Sequence, residues 1–123
     1  MTSPQRILFI DDDPDTLALC ANTFRKNGYI VQTLLGCEDL LEFVERFSPH
    51  LIFMDHNMPV ICGTDAIKLL KSHSNSNHIP VILFSAEVTI EQLASECGAD
   101  AYLKKPFRMD TLIDATERIA LID

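Results

Sequence analysis

Short runs of consecutive apolar residues set the plan of the chain. Residues 6–10, 51–54 and 80–85 contain almost no polar alternation, so each predicts a strand buried on both faces, as in the middle of a parallel sheet. Residues 30–34 are more polar and predict a strand nearer an edge, and 101–105 predict a fifth strand that Pro106 stops. Between these runs the spacing changes to that of helices. Leu17, Ala21 and Phe24 form one stripe, opened by Asp13 as N-cap with Pro14 in the first turn and closed by Gly28. Residues 38–47 predict a second helix, with Leu40, Val44 and Phe47 on one face and Leu41 beside them, closed by Ser48-Pro49. Residues 64–71 predict a third, with Ile67 and Leu70 inward, and the polar stretch 72–78 predicts a mobile loop. Thr89-x-x-Gln92 has the form of a capping box opening a fourth helix that Gly98 closes, and 109–121 predict a fifth, with Met109, Leu112, Thr116 and Ile119 on one face.

Strands that alternate with helices require parallel pairing, right-handed crossovers and helices on both faces of the sheet. The fold class expected is therefore α/β, a doubly wound five-stranded parallel sheet, with residues 1–123 as a single domain. No repeat, linker or low-complexity block interrupts it, and 123 residues suffice to bury a core without staples.

Composition narrows the function classes. A formal net charge of −8 argues against direct nucleic-acid binding and against an anionic membrane surface. No apolar run approaches the ~20 residues of a membrane span, and the N-terminus has no signal-peptide core, so a cytoplasmic location is expected. Cys20, Cys37, Cys62 and Cys97 lack the spacing of a zinc site and are read as small apolar residues.

The polar residues that matter end strands. Asp11 and Asp12 follow the first, Asp55 the third, Ser85 the fourth, and Lys105 closes the fifth. Each alone has a plain structural explanation. Together they converge on one rim, the carboxyl end of the strands, where open α/β sheets bind ligands. Three carboxylates in one crevice repel: two unit charges 4 Å apart cost roughly 4 kcal/mol at an effective dielectric of 20. A hard divalent cation with oxygen ligands offsets this, and Mg²⁺ keeps open positions for phosphate oxygens. A metal, an ammonium and a hydroxyl around Asp55 make a cradle for a phosphoryl group, with the Asp55 carboxylate as nucleophile and an acyl phosphate as product.

Asp11-Asp12, Asp55-x-x-Met58-Pro59-x-x-x-Gly63, Pro80-Val81-Ile82-x-x-Ser85-Ala86 and Gly98-Ala99-Asp100-x-Tyr102-x-x-Lys105-Pro106-Phe107 resemble the receiver domain of two-component response regulators, in order and spacing, over nearly the whole chain. The resemblance implies a flavodoxin-like fold with strand order 2-1-3-4-5. It implies that Asp55 accepts a phosphoryl group from a histidine kinase or a histidine phosphotransfer protein. Asp12 would ligate Mg²⁺ directly, Asp11 mostly through water, and the backbone carbonyl of Asn57 would add a ligand beside Asp55. Ser85 and Lys105 would each hold a phosphoryl oxygen. Lys105 is preferred to Lys104 because it directly precedes Pro-Phe and because alternation sends Lys104 to the opposite side. A cis Lys105-Pro106 bond is expected. Ser85 and Tyr102 are the implied switch residues, carrying the signal to the face formed by the fourth helix, fifth strand and fifth helix. Asn57 and Glu87 occupy the positions that tune phosphoaspartate lifetime, with comparatively quick self-hydrolysis expected. A downstream effector protein and a phosphorylation-dependent homodimer complete the implied partners. The chain is expected to be a signalling domain rather than an enzyme, catalysing only its own phosphorylation and dephosphorylation. His56, Cys62 and Arg108 depart from the family's usual residues.

Three other readings remain. A haloacid-dehalogenase-type phosphatase would use Asp11 as nucleophile, but it wants Thr or Val where Asp15 stands, and the chain is short for it. A flavodoxin would need a hydroxyl- and glycine-rich phosphate loop after the first strand. A phosphorylation-independent interaction module would not need the charged set.

Overall fold

The computed structural model describes residues 5–58 and 60–122, with side chains through Ile119; Pro59 of the sequence motif and the first four residues lie outside this range. Five strands, β1 (Arg6–Ile10), β2 (Ile30–Leu34), β3 (Leu51–Asp55), β4 (Val81–Ser85) and β5 (Ala101–Lys104), form one parallel sheet in the order β2-β1-β3-β4-β5. Five helices, α1 (Pro14–Lys26), α2 (Leu40–Phe47), α3 (Gly63–Lys71), α4 (Ile90–Cys97) and α5 (Met109–Ile122), alternate with them. This is the expected α/β fold.

Strand alternation divides the core in two. Leu8, Ile10, Ile52, Met54, Val81 and Leu83 face α2, α3 and α4. Their neighbours Ile7, Phe9, Leu51, Phe53, Ile82 and Phe84 face α1 and α5. The three central strands therefore bury every side chain from residue 7 to 10, 51 to 55 and 81 to 85, which explains their unbroken apolar runs. On the second face Phe9 stacks on Phe53 with centroids 4.7 Å apart, and Phe24 meets Phe9 edge-on at 4.9 Å. The polar strand β2 is an edge, as its composition predicts.

Two sequence expectations are corrected, and one loop carries contacts that its composition does not predict. The second helix starts at Leu40 rather than at residue 38, because Asp39 takes a left-handed φ of 54° that cannot continue a helix. The Thr89/Gln92 capping box does not form: Thr89 sits at φ −90°, ψ 17°, outside the extended region the motif requires, and makes no side-chain cap. Gln92 Nε2 donates instead to Glu96 Oε1 at 3.0 Å. The 72–78 loop is tied down more firmly than its polar composition suggests: buried Ser76 donates through Oγ to the Leu70 carbonyl at 2.6 Å, and Lys71 Nζ donates to Ile79 O at 2.8 Å.

Candidate functional site

The carboxyl ends of β1, β3 and β4 open at one rim of the sheet. Asp55 is the last residue of β3 and pairs in register with Phe84; Ser85 is the last residue of β4, opposite Lys104. Asp11 follows β1 directly, its N–H donating to Leu34 O at 3.1 Å, and Lys105 continues past β5 with its N–H donating to Ser85 O at 2.9 Å. The backbone ladder thus fixes where each functional side chain begins.

One carboxylate oxygen each from Asp11, Asp12 and Asp55 lies within 4.8 Å of the others. Asp11 and Asp55 are almost fully buried and Asp12 is exposed at the opening. The Lys105 ammonium donates to Asp55 Oδ1 at 3.0 Å and to Asp11 Oδ2 at 3.3 Å. It also lies 5.0 Å from the centre of the Phe84 ring. The Lys105-Pro106 bond is cis, as expected, and Lys104 is exposed on the other side.

Burial pushes both carboxyl groups above the usual aspartate value. For Asp11 the Asp13 N–H and the Lys105 ammonium pull back against it. For Asp55 the Lys105 hydrogen bond lowers the value and the neighbouring Asp11 charge raises it, burial remaining dominant. Lys105 loses solvation too, but Asp55 and Asp11 outweigh this and raise its pKa, so it stays an ammonium. Three carboxylates and one ammonium leave an excess of negative charge in a largely dehydrated crevice.

Ser85 is fully buried; its Oγ accepts from the Glu87 N–H at 3.1 Å, and its hydroxyl proton has no acceptor among the described residues. Asp55 Oδ2 and the Asn57 carbonyl likewise carry no hydrogen bond among the described residues. Asn57 itself is exposed. His56 Nε2 stands 4.0 Å from Glu87 Oε1, linking the β3–α3 and β4–α4 loops, while its buried Nδ1 has no hydrogen-bond partner among the described residues. Tyr102 is 41% exposed on the edge strand β5, with its ring toward solvent rather than in the site.

Two contributors were not read from the sequence as site residues. Asp13, taken only as a helix cap, also donates its N–H to Asp11 Oδ1 at 3.0 Å and so orients that carboxylate. Three successive aspartates are the signal that could have found it. Gly63 has the other role. A Cβ there would collide with the Asp55 carbonyl oxygen and come within 2.8 Å of His56 Cα, while the Gly63 N–H donates to His56 O at 2.9 Å. Helix α3 can begin this close to β3 only because position 63 has no side chain.

The family model of the response regulator receiver domain matches residues 7–117. The transcriptional regulatory protein PrrA of Mycobacterium tuberculosis is 35% identical over 92% of this chain, and the chain spans 48% of that protein's length. Among solved structures, the chemotaxis protein CheY4 of Vibrio cholerae superposes with a TM-score of 0.87 at 25% identity, covering 94% of this chain and 98% of that one. The receiver domain of the sensor histidine kinase PA1611 of Pseudomonas aeruginosa, with a magnesium ion coordinated in its active-site cleft, superposes with a TM-score of 0.85 at 26% identity, covering 95% and 98%.

Proposed function

The chain belongs to the response regulator receiver domain family of two-component signalling, and we propose that Asp55 is the residue through which it receives its phosphoryl group. The observation that carries this reading is the Lys105 ammonium bridging Asp55 and Asp11 at the mouth of the sheet, beside the unpartnered Asp55 Oδ2.

Asp55 Oδ2 attacks the phosphorus of a phosphohistidine presented by a histidine kinase or histidine phosphotransfer protein. The P–O bond forms as the P–N bond breaks, the histidine nitrogen keeps the electron pair, and Asp55 becomes an acyl phosphate. Lys105 holds one oxygen of the incoming group, and Ser85, whose hydroxyl proton is uncommitted, donates to another. Residues 1–123 act as one receiver domain.

The acidic cluster fits a dication. Its donors are hard carboxylate oxygens within 4.8 Å of one another, and one ammonium leaves their charge unbalanced. Asp12 and Asp55, with the free Asn57 carbonyl, are the direct ligands in this reading, and Asp11 acts mostly through water. When bound, Mg²⁺ stabilises the negative charge spread over the phosphoryl oxygens. The chain is then a signalling domain whose only chemistry is its own phosphorylation and dephosphorylation. Asn57 and Glu87, flanking Asp55 and Ser85, hold or admit the water that hydrolyses the acyl phosphate and so set its lifetime. Ser85 and Tyr102 carry the change to the α4–β5–α5 face, where a downstream effector or a second copy docks. We place the protein in the cytoplasm; no described helix is long and apolar enough to cross a membrane.

Incubation with Mg²⁺ and a small phosphodonor, followed by intact-mass spectrometry over time, tests these assignments together. Wild type gains one phosphoryl group and Asp55→Asn gains none. The label decays several-fold more slowly when Asn57 and Glu87 are replaced by Ala. Label that survives Asp55→Asn and disappears in Asp11→Asn would transfer the nucleophile to Asp11, as in the phosphatase reading. An interaction module would take no label at all.

A further inference from the structure

A cleft of about 670 Å³ opens between the β2–α2 and β3–α3 loops. Its volume lies in the ~300–1,000 Å³ range of ligand sites. Leu34, Cys37, Met58 and Ile61 rest on the α2–α3–α4 side of the core and form its apolar floor. Leu35 and Val60 stand at its rim with 59% and 96% of their surfaces in solvent. Large aliphatic side chains this exposed, grouped around a concave apolar floor, mark an interaction site rather than scattered surface residues.

The charge around the cleft has one sign. Among the described residues lining it, Glu38 and Asp39 carry the only formal charges, and neither carboxylate has a cationic partner among the described residues. The surrounding sequence holds no Lys or Arg between Lys26 and Arg46 or between Asp55 and Lys68, while Glu42, Glu45 and Asp65 add further acids. With a net charge of −8, the chain repels anionic occupants such as a nucleic acid or an anionic membrane. A segment pairing a bulky apolar side chain with nearby Lys or Arg is complementary to both the floor and the rim.

We propose that this cleft docks a basic amphipathic segment of a partner protein, an apolar anchor seated on Met58, Ile61 and Cys37 with flanking cations against Glu38 and Asp39. The apolar anchor supplies most of the affinity and the charges set orientation and encounter rate. The surface borders the acidic rim, since its Leu34 carbonyl accepts from the Asp11 N–H, but it shares no residue with the acidic cluster and stands independently of the phosphoacceptor assignment.

The test is an NMR titration of the full ¹⁵N-labelled chain with a 14-residue helical probe peptide bearing Leu and Phe on one face and Lys and Arg on the other. Two control peptides replace the cations by Glu or the apolar residues by Ser. Amide shifts concentrated at residues 34–39, 58 and 60–62 are expected, with at least ten-fold weaker binding for either control. Leu35→Ser with Val60→Ser, and separately Glu38→Lys with Asp39→Asn, should each weaken binding at least ten-fold; Asn suits the left-handed backbone at position 39. Both variants should still take the Asp55 label from the phosphodonor, which separates failure here from failure of the phosphoacceptor reading. Shifts spread over the whole acidic surface, or centred on α4 and α5, would overturn the proposal. So would equal binding of the Glu control, which marks a site for neutral apolar ligands, or self-association of the free chain abolished by Leu35→Ser with Val60→Ser.

Discussion

Asp11 and Asp55 are carboxylates held where water does not reach, and the fold tolerates them without stabilising their ionised forms. Burial dominates both, raising each above its unfolded value despite the Lys105 ammonium. The folded chain therefore binds more protons than the unfolded chain between the ordinary carboxyl value of 3.8 and the raised folded values. The stability contributed by these two groups declines as pH rises through that window, opposite to the usual salt-bridged aspartate. Asp13 runs the other way: its exposed carboxylate is lowered by the Thr16 hydroxyl and the Asp15 N–H, so its contribution is lost as pH falls. A difference measurement isolates the buried term. In chelator-treated protein, Asp11→Asn should unfold at higher denaturant than wild type at pH 7, by on the order of 1 kcal/mol once Lys105 offsets part of the repulsion. That advantage should shrink as pH falls toward 4. Equal midpoints across the range would show that Lys105 fully compensates Asp11.

Among the elements, legibility followed how local the cause was. The buried runs at residues 7–10, 51–54 and 81–84 identified the central strands and their ends because nothing but a doubly covered strand suits them. The Asp13 cap was readable since its partners, Asp15 and Thr16, lie within one turn. Thr89 has the same kind of sequence signal and no cap, because its backbone angles are set by the β4–α4 loop rather than by its own residue type. The left-handed turn at Asp39 and the pinning of Ser76 by the Leu70 carbonyl likewise depend on neighbours that spacing does not reveal. The acidic residues and Lys105 were legible as a site because they end strands, whereas Gly63 needed the distance to the Asp55 carbonyl to show why it has no side chain. The same dependence on neighbours would govern the proposed switch. Tyr102 pairs in register with Leu83, two residues before Ser85, so in the proposed switch a movement of Ser85 toward a phosphoryl oxygen would pass across the β4–β5 ladder. Crystal structures with and without a beryllofluoride acyl-phosphate mimic should show Ser85 Oγ leaving the Glu87 N–H and the exposed Tyr102 ring turning inward. If both side chains keep their places, the proposed coupling is wrong.

For the molecule as a whole, the excess negative charge at the rim makes stability and ligand binding two readings of one balance. Without a dication, Asp55 is an ionised group in a buried position with its charge only partly met by Lys105, so Asp55→Asn should be the more stable protein. A dication that binds the folded chain and not the unfolded one adds RT ln(1 + [L]/Kd), about 2.7 kcal/mol at a hundred-fold excess over Kd. In a chain of this size that is a rise of roughly ten degrees in Tm. Asp55→Asn removes one of the three clustered carboxylates and should weaken the proposed binding. The two proteins should therefore change order: the variant melts higher in chelator, and wild type melts higher in saturating Mg²⁺. Ca²⁺ tests selectivity, because its longer bonds and higher ligand number ask for more oxygens than this rim offers. Thermal melts of both proteins under the three conditions decide the matter. Parallel shifts in wild type and Asp55→Asn would mean that the dication acts elsewhere on the acidic surface, and the charge balance at the rim would then need another source.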